Sequence, residues 1–383
     1  MRINPYKHNE KYLNWKERVK NGIPDVTPKN SEIIIKYATD MEKGLNVAVG
    51  SVKGSRSFIR LNSLREKMTF FAKRFKEVCD VDSLAELNED QVISFFCDMR
   101  SGVIKRKDGK DYGDVYNFVK DFKAFWHWWM KINRKNGITI NDITVDLDSH
   151  RIKPKWVYLS EDQVKKLIEE SKFNYKVLIT FLFDTGIRAP TELMNIQVSD
   201  LYNDCKELNI RHEVSKTFGR RIKLLISSEL LKQYIKEKKL NPQDKLFSIC
   251  PPVVNRYLRR LGERVFGDGI SLAGEKYSNL TMYDFRHVSC CYWLPRYKSE
   301  SAMKYRFGWK KSDKILYYSE MLGMSDTINE DDMLTDITKV EIVRKLDLSD
   351  REKEVLQERV NTLELQMKRI LELTNQLGMK IEG

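Results

Sequence analysis

Apolar residues recur at helical spacing through most of the first 140 positions of the chain. Ile34, Tyr37, Ala38 and Met41 share one face, with Asn30 or Ser31 placed to cap the helix they define. Phe58, Leu61, Leu64, Met68, Phe71 and Phe75 form a second stripe, and Arg56, Arg60, Arg65, Lys67, Lys73 and Arg74 fill the positions between. "NEDQVISFFCDMR" and "VYNFVKDFKAFWHWWMKI" add two more, so the pattern predicts four helices and no strand before residue 140. Residues 1–29 are polar and basic, interrupted by Pro5, Pro24 and Pro28, and read as an arm ahead of a helical domain over 30–150. Trp126, Trp128 and Trp129 sit at helical spacing and read as core rather than as a stacking platform; His127 among them has no partner pattern.

The periodicity breaks over 148–157, a polar stretch with a proline, and resumes at Ser160-x-x-Gln163, a capping-box signature that opens a second domain over 157–325. A helix is expected over 161–172, then an apolar helix ending in "FLFDTG" and a short helix after Pro190. Two runs with strand character, "ELNIRHEV" and "RRIKLLI", are joined by "SKTFG", which reads as a hairpin with Gly219 in its turn. More helices follow. In a tail over 335–383, Leu356, Val360, Leu363, Met367, Ile370, Leu377 and Ile381 recur in steps of three and four, with Thr374 as the polar member. That seam fits either a self-associating coiled coil or one amphipathic helix packed on the body. The fold class expected is mainly α with a small β-hairpin or sheet: a helical domain, a mixed second domain and a C-terminal helix.

Charge narrows the partner. The 383 residues carry 68 Lys and Arg against 55 Asp and Glu, a formal net charge of +13. A globular chain this basic expects a polyanion, nucleic acid first. The six cysteines (Cys79, Cys97, Cys205, Cys250, Cys290 and Cys291) make no C-x-x-C pair and no zinc spacing, so reduced thiols, no metal and no cofactor are expected. With no signal-like or membrane-spanning run, the expectation is a cytoplasmic, DNA-associated protein without a membrane partner.

Two arginines stand out against this background: Arg188 in "DTGIRAPTELMNI" and Arg286 in "TMYDFRHVSCCYWL". An arginine beside an apolar helix face is costly to bury without an anion, and two of them suit one phosphate, whose oxygens match the planar guanidinium fork. The order T-G-x-R, a lysine in a hairpin, x-x-x-R-H, and then G-W followed at family spacing by tyrosine resembles the catalytic domain of tyrosine recombinases, the phage-integrase-type site-specific recombinases. The wording "TGIRAPTELMNI" with "YDFRHVS" is most similar to integrases of archaeal viruses and plasmids, and the likeness spans about residues 30–325.

The resemblance implies roles for particular residues. Arg188 and Arg286 would hold the scissile phosphate, Lys216 would protonate the leaving 5′ oxygen, and Trp309 would support the nucleophile helix. Tyr318 would attack phosphorus and form a 3′-phosphotyrosine, with Tyr317 as the alternative nucleophile one position earlier and the residue expected to fill a core. The sequence departs from the family pattern twice. Tyr283 stands where the family has histidine, so His287, adjacent to Arg286, is a candidate to share proton removal. The acidic residue usual three positions after the first arginine is replaced by Thr191, with Glu192 one further on. Arg56, Arg60, Arg65 and Lys67 would bind DNA phosphates, the two domains would clamp the duplex, and four protomers would act on paired sites, with tail contacts between them. The alternatives are an inactive DNA-binding or architectural protein of the same fold, a type IB topoisomerase-like or resolvase activity, and a coiled-coil scaffold.

Overall fold

The computed structural model describes residues 4–45, 54–297, 299–322 and, further on, 349, 353 and 356–369. The chain divides into two compact units, 1–314 and 315–383.

Five helices build the first part of unit 1: α1 (His8–Arg18), α2 (Pro28–Glu42), α3 (Phe58–Cys79), α4 (Glu89–Ser101) and α5 (Tyr116–Lys135). The stripe Leu61, Leu64, Met68, Phe71 and Phe75 makes α3 the centre, because residues three and four apart stack on one helix face. Around Phe71, the rings of Phe75, Phe95, Phe96, Phe118 and Phe122 lie with centroids 5.3–6.3 Å away. Trp126 and Trp128 are buried in this core, and their indole N–H groups donate to Asn141 O at 2.9 Å and Asp40 Oδ2 at 3.0 Å. A tryptophan so placed is a packing residue.

Two expectations are corrected here. The supposed arm holds α1, whose Tyr12 and Trp15 enter the same core as Val19 and Ile23 beyond it. Asn62 Nδ2 fixes α1 by donating to His8 O at 2.7 Å. Helix α2 also starts earlier than Asn30 or Ser31. Thr27 is its cap, accepting from Asn30 N at 3.3 Å, and Pro28 opens the first turn, where its missing N–H costs nothing. Asn30 and Ser31 instead turn away from the helix end: their side chains accept from the backbone N–H of Leu84 and Ile23, both at 2.7 Å.

The rest of unit 1 begins with α6 (Glu161–Glu169), which has the expected capping box between Ser160 and Gln163, and α7 (Phe173–Thr185). A three-stranded antiparallel sheet follows in the order β1 (Leu201–Tyr202), β2 (Glu207–Ile210) and β3 (Arg220–Lys223), with Ile210 opposite Arg220. The paired strands are shorter than the β-like runs, and residues 211–219 form a loop rather than a tight turn. Then come α8 (Ser228–Lys238), α9 (Pro251–Phe266), α10 (Asp284–Trp293) and α11 (Glu300–Phe307). Helix α12 (Asp313–Met321) runs into unit 2. Unit 2 also has a helix over 356–369, along which Leu356, Val360, Leu363 and Met367 are exposed. Ile370, Thr374, Leu377 and Ile381 of the expected seam, and the boundary between 325 and 335, lie outside the described residues. Among the described residues no helix is long and apolar enough to cross a membrane.

Candidate active site

The site is gathered around the C-terminal end of α11. The last carbonyls of a helix have no partner within it, and here three consecutive ones each accept from a different arginine. Arg220 Nε donates to Arg306 O at 2.8 Å, Arg286 Nη2 to Phe307 O at 2.6 Å, and Arg188 Nη2 to Gly308 O at 2.7 Å. Gly308 caps α11 in the left-handed region at φ 61°, and a Cβ there would sit 3.0 Å from Arg220 Nη1 and 3.3 Å from Arg188 Nη1. Glycine thus lets backbone come close to two guanidinium groups at once.

Each arginine arrives on a different element. Gly186 ends α7 at φ 57°, and its carbonyl accepts from Arg286 Nη1 at 2.6 Å, joining α7 to α10 directly. Arg188 follows in the turn after α7. Glu192 accepts from its Nη1 at 2.7 Å and its backbone N–H at 3.1 Å. The same carboxylate receives Arg220 Nη2 at 2.9 Å and Ser215 Oγ at 3.1 Å. Burial alone would raise the Glu192 carboxyl, but Arg220 and Arg188 beside it outweigh that and hold it at about 2. The acidic residue one place beyond the family position is therefore in direct contact with the first arginine.

Arg286 is buried, and burial lowers its pKa, with the neighbouring charge of Arg188 acting in the same direction. Its guanidinium carbon stands 5.5 Å from the Phe307 ring centroid and 5.9 Å from that of Trp309, and the two rings stack at 5.0 Å. Trp293 Nε1, at the far end of α10, donates to Asp184 O at 2.9 Å. Asp184 also receives Arg306 Nη2 at 3.1 Å and the backbone N–H of Ser227 at 2.9 Å, so α7, α11 and the start of α8 are tied together behind the arginines.

Lys216 is exposed in the 211–219 loop, between two anchored neighbours. Ser215 reaches Glu192, and Thr217 Oγ1 donates to Gly308 O at 2.9 Å. The loop is thereby held against the arginine cluster on both sides of the lysine. Tyr283, at the start of α10, is exposed and meets the His287 ring edge to face at 5.3 Å. His287 stacks on Trp156 at 4.7 Å with an interplanar angle of 25°. Burial, then the charges of Arg286 and Lys314, lower its pKa to about 4, so its imidazole is neutral near pH 7. The segment bearing Trp156 is fixed to α10 by Val157 N–H donating to Asp284 Oδ1 at 3.1 Å.

In α12 the rings of Tyr317 and Tyr318 meet edge to face, 5.1 Å between centroids. Tyr318 is 3% exposed and Tyr317 is half-buried, which reverses the expectation that Tyr317 fills the core. Consecutive helical positions point about 100° apart, so one of any such pair turns inward.

Three of the residues expected on DNA have partners within the protein. Arg60 and Lys67 share the buried carboxylate of Asp121, with Lys67 Nζ 2.6 Å from Oδ2. Arg65 donates to Asn62 Oδ1 at 2.8 Å and lies over the Trp15 ring at 5.2 Å. Sequence reasoning missed Arg220, Thr217, Gly308 and Trp156. For Arg220 a faint signal exists: strand alternation puts one of Arg220 and Arg221 inward, and an inward arginine needs an anion.

Two arginines sharing one carboxylate, a third seated on neighbouring carbonyls and an exposed lysine beside them have the composition of a phosphate site. The architecture around it is that of the tyrosine-recombinase fold: a mostly helical chain with a small antiparallel sheet. The Tn1549 transposon integrase in complex with transposon right end DNA has a TM-score of 0.52 at 15% identity, over 83% of this chain and 99% of that one. A lambda integrase dimer bound to a COC′ core site gives 0.53 at 15% identity, over 83% and 84%. The XerH site-specific recombinase bound to palindromic difH substrate gives 0.50 at 12% identity, over 82% and 91%. No family model and no curated protein matches the chain.

Proposed function

We propose that this chain is a site-specific DNA recombinase that integrates or excises a mobile element, of the kind carried by archaeal viruses and plasmids, through a 3′-phosphotyrosine intermediate. The observation that carries the reading is the seating of Arg188 and Arg286 on adjacent carbonyls of one turn, Phe307 and Gly308, beside the Lys216 loop. Recombinases and integrases of the same fold, bound to DNA, support it.

In the proposed reaction the two guanidinium groups bind the non-bridging oxygens of the scissile phosphate and stabilise the charge that builds up on them as phosphorus becomes pentacovalent. The Tyr318 oxygen forms a bond to phosphorus while the bond from phosphorus to the 5′ oxygen breaks. Lys216 gives a proton to that oxygen, and the phenol proton passes to a base, for which neutral His287 is the candidate, while the Tyr283 hydroxyl donates a hydrogen bond to the phosphate. A phenol of ordinary pKa about 10 is a weak nucleophile but a good leaving group. Attack by a DNA hydroxyl on the phosphotyrosine then reseals the strand without nucleotide hydrolysis, metal or cofactor. Duplex DNA is bound through its phosphates, and four copies of the chain act on two sites, with tail contacts between copies.

The test is a covalent trap. Protein is incubated with supercoiled plasmid carrying DNA of its own element and quenched with SDS, and 3′-linked adduct is measured for the wild type, Tyr317→Phe and Tyr318→Phe. An adduct lost only with Tyr318→Phe is the expected result, and loss with Tyr317→Phe alone moves the nucleophile by one residue. Absence of adduct on DNA that contains the binding site overturns the enzyme reading. A second reading, a DNA-binding protein of this fold without catalysis, is favoured by one feature. The histidine position is occupied by Tyr283, and the neighbouring His287 is too weak a base at about 4 to replace it fully.

A further inference from the structure

Arg220 is the most deeply buried cation of the cluster, with a side chain 0% exposed, and the proposed chemistry gives it no part. Its contacts reach three separate pieces of the site. Nη2 and Nη1 donate to the two Glu192 oxygens at 2.9 and 3.3 Å, Nη1 stands 3.4 Å from Ser215 Oγ next to Lys216, and Nε donates to Arg306 O at 2.8 Å.

The charges explain why a third arginine is useful there. Arg188 and Glu192 alone would cancel, leaving Arg286 as the one net positive charge facing a phosphate. With Arg220 sharing the carboxylate, three positive charges face one negative charge. Arg188 then stays oriented by Glu192 without being neutralised by it. We propose that Arg220 is a positioning residue that acts through Glu192: it keeps Arg188 oriented and cationic for a phosphodiester, and it locks the Lys216 loop to the arginines. This inference rests on the recombinase reading and deepens it.

The experiment uses the full chain and the trapping assay, with DNA affinity and single-turnover cleavage at saturating DNA measured separately for Arg220→Met, Arg220→Lys and the double variant Arg220→Met/Glu192→Gln. Arg220→Met removes one charge and leaves Glu192 wholly to Arg188, so cleavage should slow by about a hundredfold while DNA affinity changes by less than about threefold. Arg220→Lys keeps the charge without the fork and should recover about tenfold of the loss. The double variant restores the net charge by removing the carboxylate as well, and it should also recover about tenfold, a rescue that a purely structural role does not produce. Cleavage by folded Arg220→Met within about threefold of wild type, or Lys and double variants no faster than Met, overturns the proposal. Should Arg220→Met not fold, the other two decide: rates within about tenfold of wild type support the role, and slower ones overturn it. A wild type that forms no adduct overturns the recombinase reading instead, so the two failures are distinct.

Discussion

Replacing Gly186 with alanine perturbs the packing and the arginine seat at the same point, and the size of the effect follows from the structure. Two contributions add. The residue sits at φ 57°, where an L side chain costs about 1–2 kcal/mol. A Cβ built there would also lie 2.2 Å from Phe307 Cε1 and 2.9 Å from Ser289 Oγ, far inside ordinary contact. Phe307 is 0% exposed and stacked on Trp309, so its ring has little room to withdraw. Overpacking of this kind costs about 1–3 kcal/mol, which brings the total to about 2–5 kcal/mol. Gly109→Ala is the control. Gly109 has a similar φ of 76° with nothing within 4 Å of its Cβ position, so that variant carries only the backbone cost. Urea unfolding of both full-length variants, followed by tryptophan fluorescence, measures the difference, expected at about 1–3 kcal/mol. Displacing Phe307 also shifts the carbonyl that holds Arg286, so single-turnover cleavage by Gly186→Ala should fall while Gly109→Ala cleaves as wild type does. Equal stabilities for the two variants, within about 0.5 kcal/mol, would refute the steric argument.

Three further outcomes follow from the same contacts. The Glu192 carboxyl lies at about 2 in the folded protein against an ordinary 4.5, so its pairing stabilises the fold above pH 4.5 and that contribution is lost as pH falls from 4.5 towards 2. The full shift corresponds to about 3 kcal/mol, of which about 2 kcal/mol is lost by pH 3; unfolding free energies at pH 7 and pH 3 should show that difference in wild type and not in Glu192→Gln, and identical acid profiles would sink the assignment. Lys67→Met should destabilise the helical domain by about 1–3 kcal/mol, because Asp121 loses a buried partner, yet leave the salt dependence of DNA binding unchanged; a slope smaller by about one would show that Lys67 contacts a phosphate after all. Trp156→Ala uncovers the His287 ring, so its pKa, read by NMR titration, should rise from about 4 towards 6.5; a value that stays near 4 would mean the indole is not what shields it.

The arginine pair was legible in the sequence because the motif fixes its residues by type and by order. Gly186 and Arg188 are joined by a helix end, and Arg286 lies on a helix whose apolar pattern is plain. The partners of these arginines were not legible, since backbone carbonyls carry no letter and the carbonyls of 306 to 308 are available to any sequence. Arg220 was hidden beside Arg221: two identical residues give no sign of which faces inward until the strand register is set by Ile210 opposite Arg220. The burial of Tyr318 rather than Tyr317 failed for a related reason, because adjacent helical positions differ only in phase. Helix α1 was lost to its prolines and its charge, although Tyr12, Trp15 and Val19 already stood at the spacing of one helix face. The partners that Arg60, Arg65 and Lys67 have within the protein are not legible in the run itself, because Asp121 and Trp15 lie far from it in sequence and Asn62 belongs to no shared motif.

Seating Arg286 on carbonyls alone, while Arg188 and Arg220 share the Glu192 carboxylate, has an electrostatic consequence for the proposed chemistry. A carboxylate orients a guanidinium strongly but cancels its charge, whereas a carbonyl orients it by hydrogen bonding and leaves the charge whole. Arg286 is held entirely in the second way, by Gly186 O and Phe307 O, and burial depresses its pKa accordingly. The cost of desolvating such a cation is several kcal/mol, and carbonyl partners offset only part of it, so an anion entering between Arg286 and Arg188 would meet charges the fold has already oriented but not satisfied. Trp309 directly follows the same three carbonyls in the chain and stacks on Phe307, so whatever fixes the end of α11 also fixes that ring. Arg188 and Arg286 thus depend on one helix terminus, and a change that loosens it, as Gly186→Ala should, is expected to shift both guanidinium groups and to slow strand cleavage.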